Sequence, residues 1–169
     1  MVEARFARAA DVAFLAMDLG QLTGGAVLFW LLRSGWRFLS ARRLVMVLGF
    51  CGSTLMLLMV TAPGLGMAMV WLNLSRFCFQ FAYVALLAYG ISSVPEHQTG
   101  KMNGFMNAMF GACGFAFNPL IGWLSDVNHH AFRPVLVMVA LSPLIGLSGW
   151  LVLSRLAERQ AERAVSVAR

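Results

Sequence analysis

The chain has 169 residues, 60% hydrophobic and 12% charged, with a net charge of +6 and a mean hydropathy of +0.75. This balance excludes an ordinary soluble domain. Once the apolar runs are set aside, only short loops and two tails remain, with no room for a soluble catalytic domain.

Five apolar segments, 9–32, 44–61, 65–92, 102–124 and 134–153, are each long enough to cross about 30 Å of hydrocarbon. The expected fold is therefore all-α: a polytopic membrane helix bundle of about five transmembrane helices. The stretch Arg33–Arg43, RSGWRFLSARR, carries Arg33, Arg37, Arg42 and Arg43 and no acid. Such a cationic loop between two spans stays cytoplasmic. Lys101 and the tail arginines Arg155, Arg159, Arg163 and Arg169 then fall on the same side, against Arg5, Arg8 and Arg133 on the other. The N-terminus is expected outside and the C-terminus in the cytoplasm. The basic excess is thus a topology signal, and no nucleic-acid partner is expected. Glu3, Asp11 and Asp18 interrupt any signal-peptide core. An odd number of spans starting outside points to a chain cut from something longer.

The first span, DVAFLAMDLGQLTGGAVLFWLL, carries Asp18 and Gln21 one turn apart. A carboxylate at that depth costs about 2.5–3.5 kcal/mol on insertion scales. Asp18 is therefore expected either near the outer interface in reach of water, or facing inward along a path. Gly24 and Gly25 should admit a close helix neighbour. The second span, LVMVLGFCGSTLMLLMVT, has no charge and reads as a packing or lipid-facing helix.

In the third span Asn73, Arg76, Gln80 and Tyr83 recur at helical spacing and form one stripe. A guanidinium at membrane depth needs a cavity, a carboxylate or a substrate anion, and its fork fits a carboxylate bidentately. The stripe is a candidate substrate surface, with Arg76, Gln80 and Tyr83 as contacts and Asn73 lining the path. The alternatives for Arg76 are snorkelling to the surface or a structural pair with Asp18. The fourth span holds a second stripe, Asn103, Asn107, Gly111, Gly114 and Asn118. It is either a packing face or a cavity wall, with Asn107 the candidate contact at mid-span. The last span stands out only in Pro143 and Trp150, and the tail SRLAERQAERAVSVAR should extend its helix.

Cys51, Cys78 and Cys113 lie inside spans without pairing or ligand spacing. Asp126, His129 and His130 in SDVNHH read as a solvated loop, since a metal site would want a further ligand. No catalytic constellation, dinucleotide fingerprint or phosphate loop occurs, so neither an enzyme nor a cofactor is expected.

The run DLGQLTGGAVLFWLLRSGWRFLSARRLVM resembles the eighth helix, following loop and start of the ninth helix of major facilitator superfamily transporters. Within that superfamily it is most similar to the anion:cation symporter family of hexuronate and galactonate permeases. Asp18, Leu19, Gly20, Leu22, Gly24, Gly25, Leu31, Arg33, Gly35, Trp36, Ala41, Arg42, Leu44, Val45 and Met46 sit in register without a gap. Phe29 and Trp30 stand where the family has the Asp-Arg pair that helps latch helix ends. Gln80 and Pro95 keep the family's spacing after its tenth-helix Gln, while Phe81, Ala82 and Ala85 replace the Gly-Trp and a later Asn. Arg76 has no counterpart in the family pattern.

The resemblance implies that residues 1–169 form a single incomplete half-domain, helices eight to twelve of twelve. Its implied function is proton-coupled symport of an organic anion such as a hexuronate, in a bacterial inner membrane. A partner N-terminal half would carry the proton-coupling carboxylates, and Gln80 and Asn107 would contact substrate. The alternative is a truncated, non-transporting membrane protein, or one chain of a split transporter. For the topology, a fluorescent protein fused after Arg169 should fluoresce, and alkaline phosphatase inserted at Ala62–Gly64 should be active. The reverse pattern would invert the assignment.

Overall fold

A computed structural model describes the backbone of residues 2–127 and 132–167, and the side chains of residues 12–124, 126–127 and 133–155. The candidate ligands His129 and His130, and the side chains of Arg5, Arg8, Arg159, Arg163 and Arg169, lie outside the described residues. Five long helices follow one another: α1 (Val2–Arg33), α2 (Phe38–Ser53), α3 (Leu65–Ser92), α4 (Thr99–Val127) and α5 (Phe132–Val167). A 3-10 segment, Thr54–Thr61, prolongs α2, and a single 3-10 turn, Glu96–Gln98, precedes α4.

Among the described residues, four stretches are long and apolar enough to cross a membrane: Val12–Arg33, Phe38–Thr61, Leu65–Ser92 and Arg133–Arg155. The expected fourth span, within α4, is not one of them although its helix has 29 residues. Asn103, Asn107 and Asn118, Lys101 and a series of glycines dilute its apolar character. Such a helix needs protein or water on part of its surface rather than lipid all round.

α2 begins at Phe38, six residues before the expected start at Leu44, and this corrects the reading of the cationic loop. α1 ends in a Schellman turn, in which Gly35 adopts φ +84° and the Trp36 and Gly35 N–H groups donate to the Leu31 and Leu32 carbonyls, both at 3.1 Å. Only Ser34–Arg37 remain between the helices, so Arg42 and Arg43 lie in α2. Arg42 is buried, with Nη1 donating to Ser92 Oγ at 2.6 Å and its guanidinium carbon 3.2 Å from the Phe38 ring centroid. Arg43 Nη2 reaches Ser154 Oγ of α5 at 3.5 Å.

α3 is the central element and packs most extensively on α1 and α2. A Cβ at Gly20 would collide with the Phe77 carbonyl oxygen, and one at Gly24 with that of Phe81. On the other side, a Cβ at Gly49 would stand 2.6 Å from the Cys78 carbonyl oxygen and 2.6 Å from Ala82 Cβ. Small residues one turn apart thus let both helices approach the α3 backbone, which is how membrane helices associate when the solvent is as apolar as the side chains. The pair on α1 is Gly20 and Gly24, not the expected Gly24 and Gly25. Gly25 meets only Val84 Cγ1, at 3.9 Å.

The buried cluster joins Leu28 and Leu31 of α1, Val45, Met46 and Phe50 of α2, Ala82 and Ala85 of α3, and Leu147 of α5. The outward faces carry large exposed apolar side chains, among them Leu22, Leu65, Phe115, Ile145 and Leu153. Such surface suits lipid or further helices.

Gly24→Ala should destabilise the bundle by about 1–3 kcal/mol, because overpacking outweighs the helix gain of about 0.5–1 kcal/mol from replacing Gly. Gly25→Ala should be neutral or slightly stabilising. Unfolding of both variants in mixed micelles compares them, and equal behaviour would disprove the close α1–α3 contact.

Candidate functional site

A cleft of about 550 Å³ opens between α1, α3, α5 and the end of α2. Its walls are mostly apolar, with Phe14 and Met17 from α1, Leu72 and Phe79 from α3, and Val139 and Ala140 from α5. The polar groups on it are Arg76 and Gln80, with Ser53, Ser75 and Ser142.

Two helices depart from regular geometry at this cleft. α2 passes into its 3-10 segment after Ser53. The Ser53 carbonyl, at the start of that segment, accepts from Ser75 Oγ at 2.6 Å, a buried hydrogen bond that ties α2 to α3. α5 contains Pro143, whose ring nitrogen has no hydrogen to give the Val139 carbonyl. Ser142 Oγ donates to that carbonyl instead, at 2.8 Å. Irregular helix at membrane depth is tolerated where it lines a cavity or is re-satisfied by side chains, and both conditions hold here.

Arg76 and Gln80 are brought together as the stripe predicts, one turn apart on the same wall. Gln80 is 9% exposed, while Arg76 is an exposed residue. Arg76 makes no ion pair or hydrogen bond among the described residues. The expected alternative of a structural pair with Asp18 is not formed. Asp18 and Gln21 line a separate depression with Leu22 and Val84.

Tyr83 and Asn107 lie beyond the cleft wall and meet each other, Tyr83 OH donating to Asn107 Oδ1 at a long 3.4 Å. Tyr83 stacks on Phe79, with ring centroids 6.4 Å apart, and tilts against Phe110 at 5.6 Å. Phe79 belongs to the cleft, so this aromatic group joins it to the α3–α4 face. A second cleft, lined by Phe110, Cys113, Gly114, Phe117 and Ile121, shares Val139 and Ser142 with the first. Asn73 is half-buried, and its Oδ1 is buried without a partner among the described residues. It is not among the residues of the main cleft.

The contribution of α5 escaped the sequence reading, which marked only Pro143 and Trp150. The signal was the Ser142–Pro143 pair itself, a proline inside an apolar run with a hydroxyl next to it.

No family model matches the chain. The chain is 25% identical over 148 residues to the "Probable L-galactonate transporter" of Escherichia coli (strain K12), a stretch covering 86% of this chain and 32% of that protein. The chain thus spans about a third of the length of the curated relative it matches. The apolar helices and this similarity support an integral membrane protein with a part in transport.

Ser75→Ala should cost about 1 kcal/mol, because it leaves the Ser53 carbonyl without its bond across the helices. Ser148→Ala, whose hydroxyl donates only to Ile145 in its own helix at 2.8 Å, should cost less than half of that. Unfolding titrations in mixed micelles separate the two, and equal losses would deny Ser75 its bridging role.

Proposed function

We propose that this chain supplies the C-terminal part of a proton-coupled symporter for an organic anion, a sugar acid such as galactonate or a hexuronate. The observation that carries the reading is Arg76, a guanidinium without a partner among the described residues, beside the buried amide of Gln80 in the cleft between α1, α3 and α5. Arg76 would hold the substrate carboxylate bidentately and Gln80 would donate to it or to a neighbouring hydroxyl. Tyr83 and Asn107 would form the next ring of contacts, and Asn73 and Asp18 would line the approach. The similarity to a galactonate transporter supports a sugar-acid substrate.

The transport cycle would need a second, N-terminal half, because the substrate path of such transporters runs between two repeat units that rock about a shared site. The proton-coupling carboxylates would reside in that half, as the resemblance to the anion:cation symporter family implies. The protein would sit in a bacterial inner membrane with its N-terminus outside and its C-terminus in the cytoplasm.

A second reading has its own support. Phe29 and Trp30 stand where the family has its latch pair. Under it the chain is a non-transporting remnant, or one chain of a split transporter.

Uptake of labelled L-galactonate and hexuronate separates these readings. Cells expressing this chain together with an N-terminal half from a related transporter should accumulate substrate above cells expressing either part alone. In that assembly Arg76→Ala should lower uptake by about ten- to a hundredfold, the worth of a charge-assisted contact. Arg76→Lys should recover part of it, since it keeps the charge without the fork. Unchanged uptake in Arg76→Ala and Gln80→Ala would remove both from the site. No uptake in any pairing, with both parts in the membrane, would leave the remnant.

A further inference from the structure

The α1–α2 turn gathers cations and holds no acid of its own, the nearest acid at this end among the described residues being the exposed Glu96 of the α3–α4 connection. Arg33 and Arg37 are both exposed there, next to the exposed rings of Trp36 (47%) and Phe38 (44%). No Asp or Glu occurs anywhere from Leu19 to Pro95. Arg37 occupies the N-cap position of α2 without a side-chain cap, and the first turn holds no acid. The N–H groups of Phe38, Leu39 and Ser40 therefore point out of the helix end with no intrahelical acceptor, and the helix dipole adds to the positive field.

Immediately behind this surface lies Arg42, 4% exposed, its guanidinium packed on the Phe38 ring. Its hydrogen-bond partner is the Ser92 hydroxyl, and its Nε is buried without one among the described residues. A hydroxyl and a ring face offset part of this buried charge but supply no anion among the described residues, so its field adds to that of Arg37 and the helix end.

We propose that this surface binds the phosphodiester headgroup of an anionic phospholipid. Arg33 and Arg37 would contact the phosphate oxygens, and the open first turn of α2 would add backbone N–H donors. The flanking aromatics favour a lipid over a soluble anion. Trp36 and Phe38, with the exposed Phe29 and Trp30 one to two turns back along α1, form an aromatic rim at the depth where headgroups meet acyl chains. A dissolved phosphate would gain nothing from that rim.

The test uses the full chain in dodecylmaltoside micelles, with added phosphatidylglycerol or phosphatidylcholine and bound lipid counted by native mass spectrometry. Phosphatidylglycerol should bind selectively. Arg33→Gln and Arg37→Gln should each weaken it about fivefold, the worth of one basic side chain near an anionic headgroup. Both side chains are exposed, so circular dichroism should show unchanged helix content. Arg133→Gln, exposed at the opposite end, should leave binding as it was. Equal binding of the two lipids, an equal loss in Arg133→Gln, or no loss in either loop variant would overturn the proposal. Inorganic phosphate at matched concentration should not displace the lipid. Full displacement would assign the site to a soluble anion and overturn the lipid reading.

Discussion

The close approach of two glycine-lined helices to one stretch of α3 fixes everything else in this bundle. From Phe77 to Ala82 the α3 backbone lies against Gly20 and Gly24 on one side and Gly49 on the other. Dispersion contacts and the lack of side-chain entropy to lose at glycine make such crossings favourable where no hydrophobic effect drives helices together. The geometry also sets the rotation of α3 about its axis. Turning α3 by one residue would drive the Phe77 and Phe81 rings toward the glycine faces, which have no room for them. Arg76 and Gln80 therefore keep a single direction, toward the cleft bounded by α1, α5 and the end of α2.

Much of this was legible in the residues, and the failures have physical causes. α3 runs over Leu65–Ser92 as its apolar length predicts, and the Arg76–Gln80 pair follows from helical spacing alone. The start of α2 was hidden because Arg42 and Arg43 read as loop cations. Their partners, Ser92 and Ser154, lie far along the chain and are invisible to a local reading. The glycine pair was misassigned because adjacency in sequence was taken for adjacency on a face. Residues four apart share a helix face, and Gly24 and Gly25 point about 100° apart. The share of α5 in the cleft was missed because a hydroxyl that repairs a proline break looks like an ordinary serine until its acceptor is known. Asp18 looked like a natural partner for Arg76, yet the helix rotation that buries Gly20 and Gly24 carries Asp18 to another depression.

The two central arginines show how one side chain can serve opposite ends. Arg42 sits near a helix start, where a serine and a ring take up part of its demand and its stem packs among apolar residues. Arg76 lies well inside a span and has no hydrogen-bond, ion-pair or ring partner among the described residues. A guanidinium at that depth is costly with neither water nor an anion, so anything that brings it a carboxylate gains the relief of that cost as well as the new contact. The hydroxyls nearby do not compete for this role. Ser75 and Ser142 spend their hydrogens on the carbonyls of Ser53 and Val139, so toward the cleft they have only lone pairs left. Donors to an anion are then reduced to Arg76 and Gln80, while the serine oxygens can accept from hydroxyls. Two donors and a few serine oxygens set in a mostly apolar wall leave the cleft few polar positions, and a sugar acid, as proposed, would have to place its carboxylate and hydroxyls at these few.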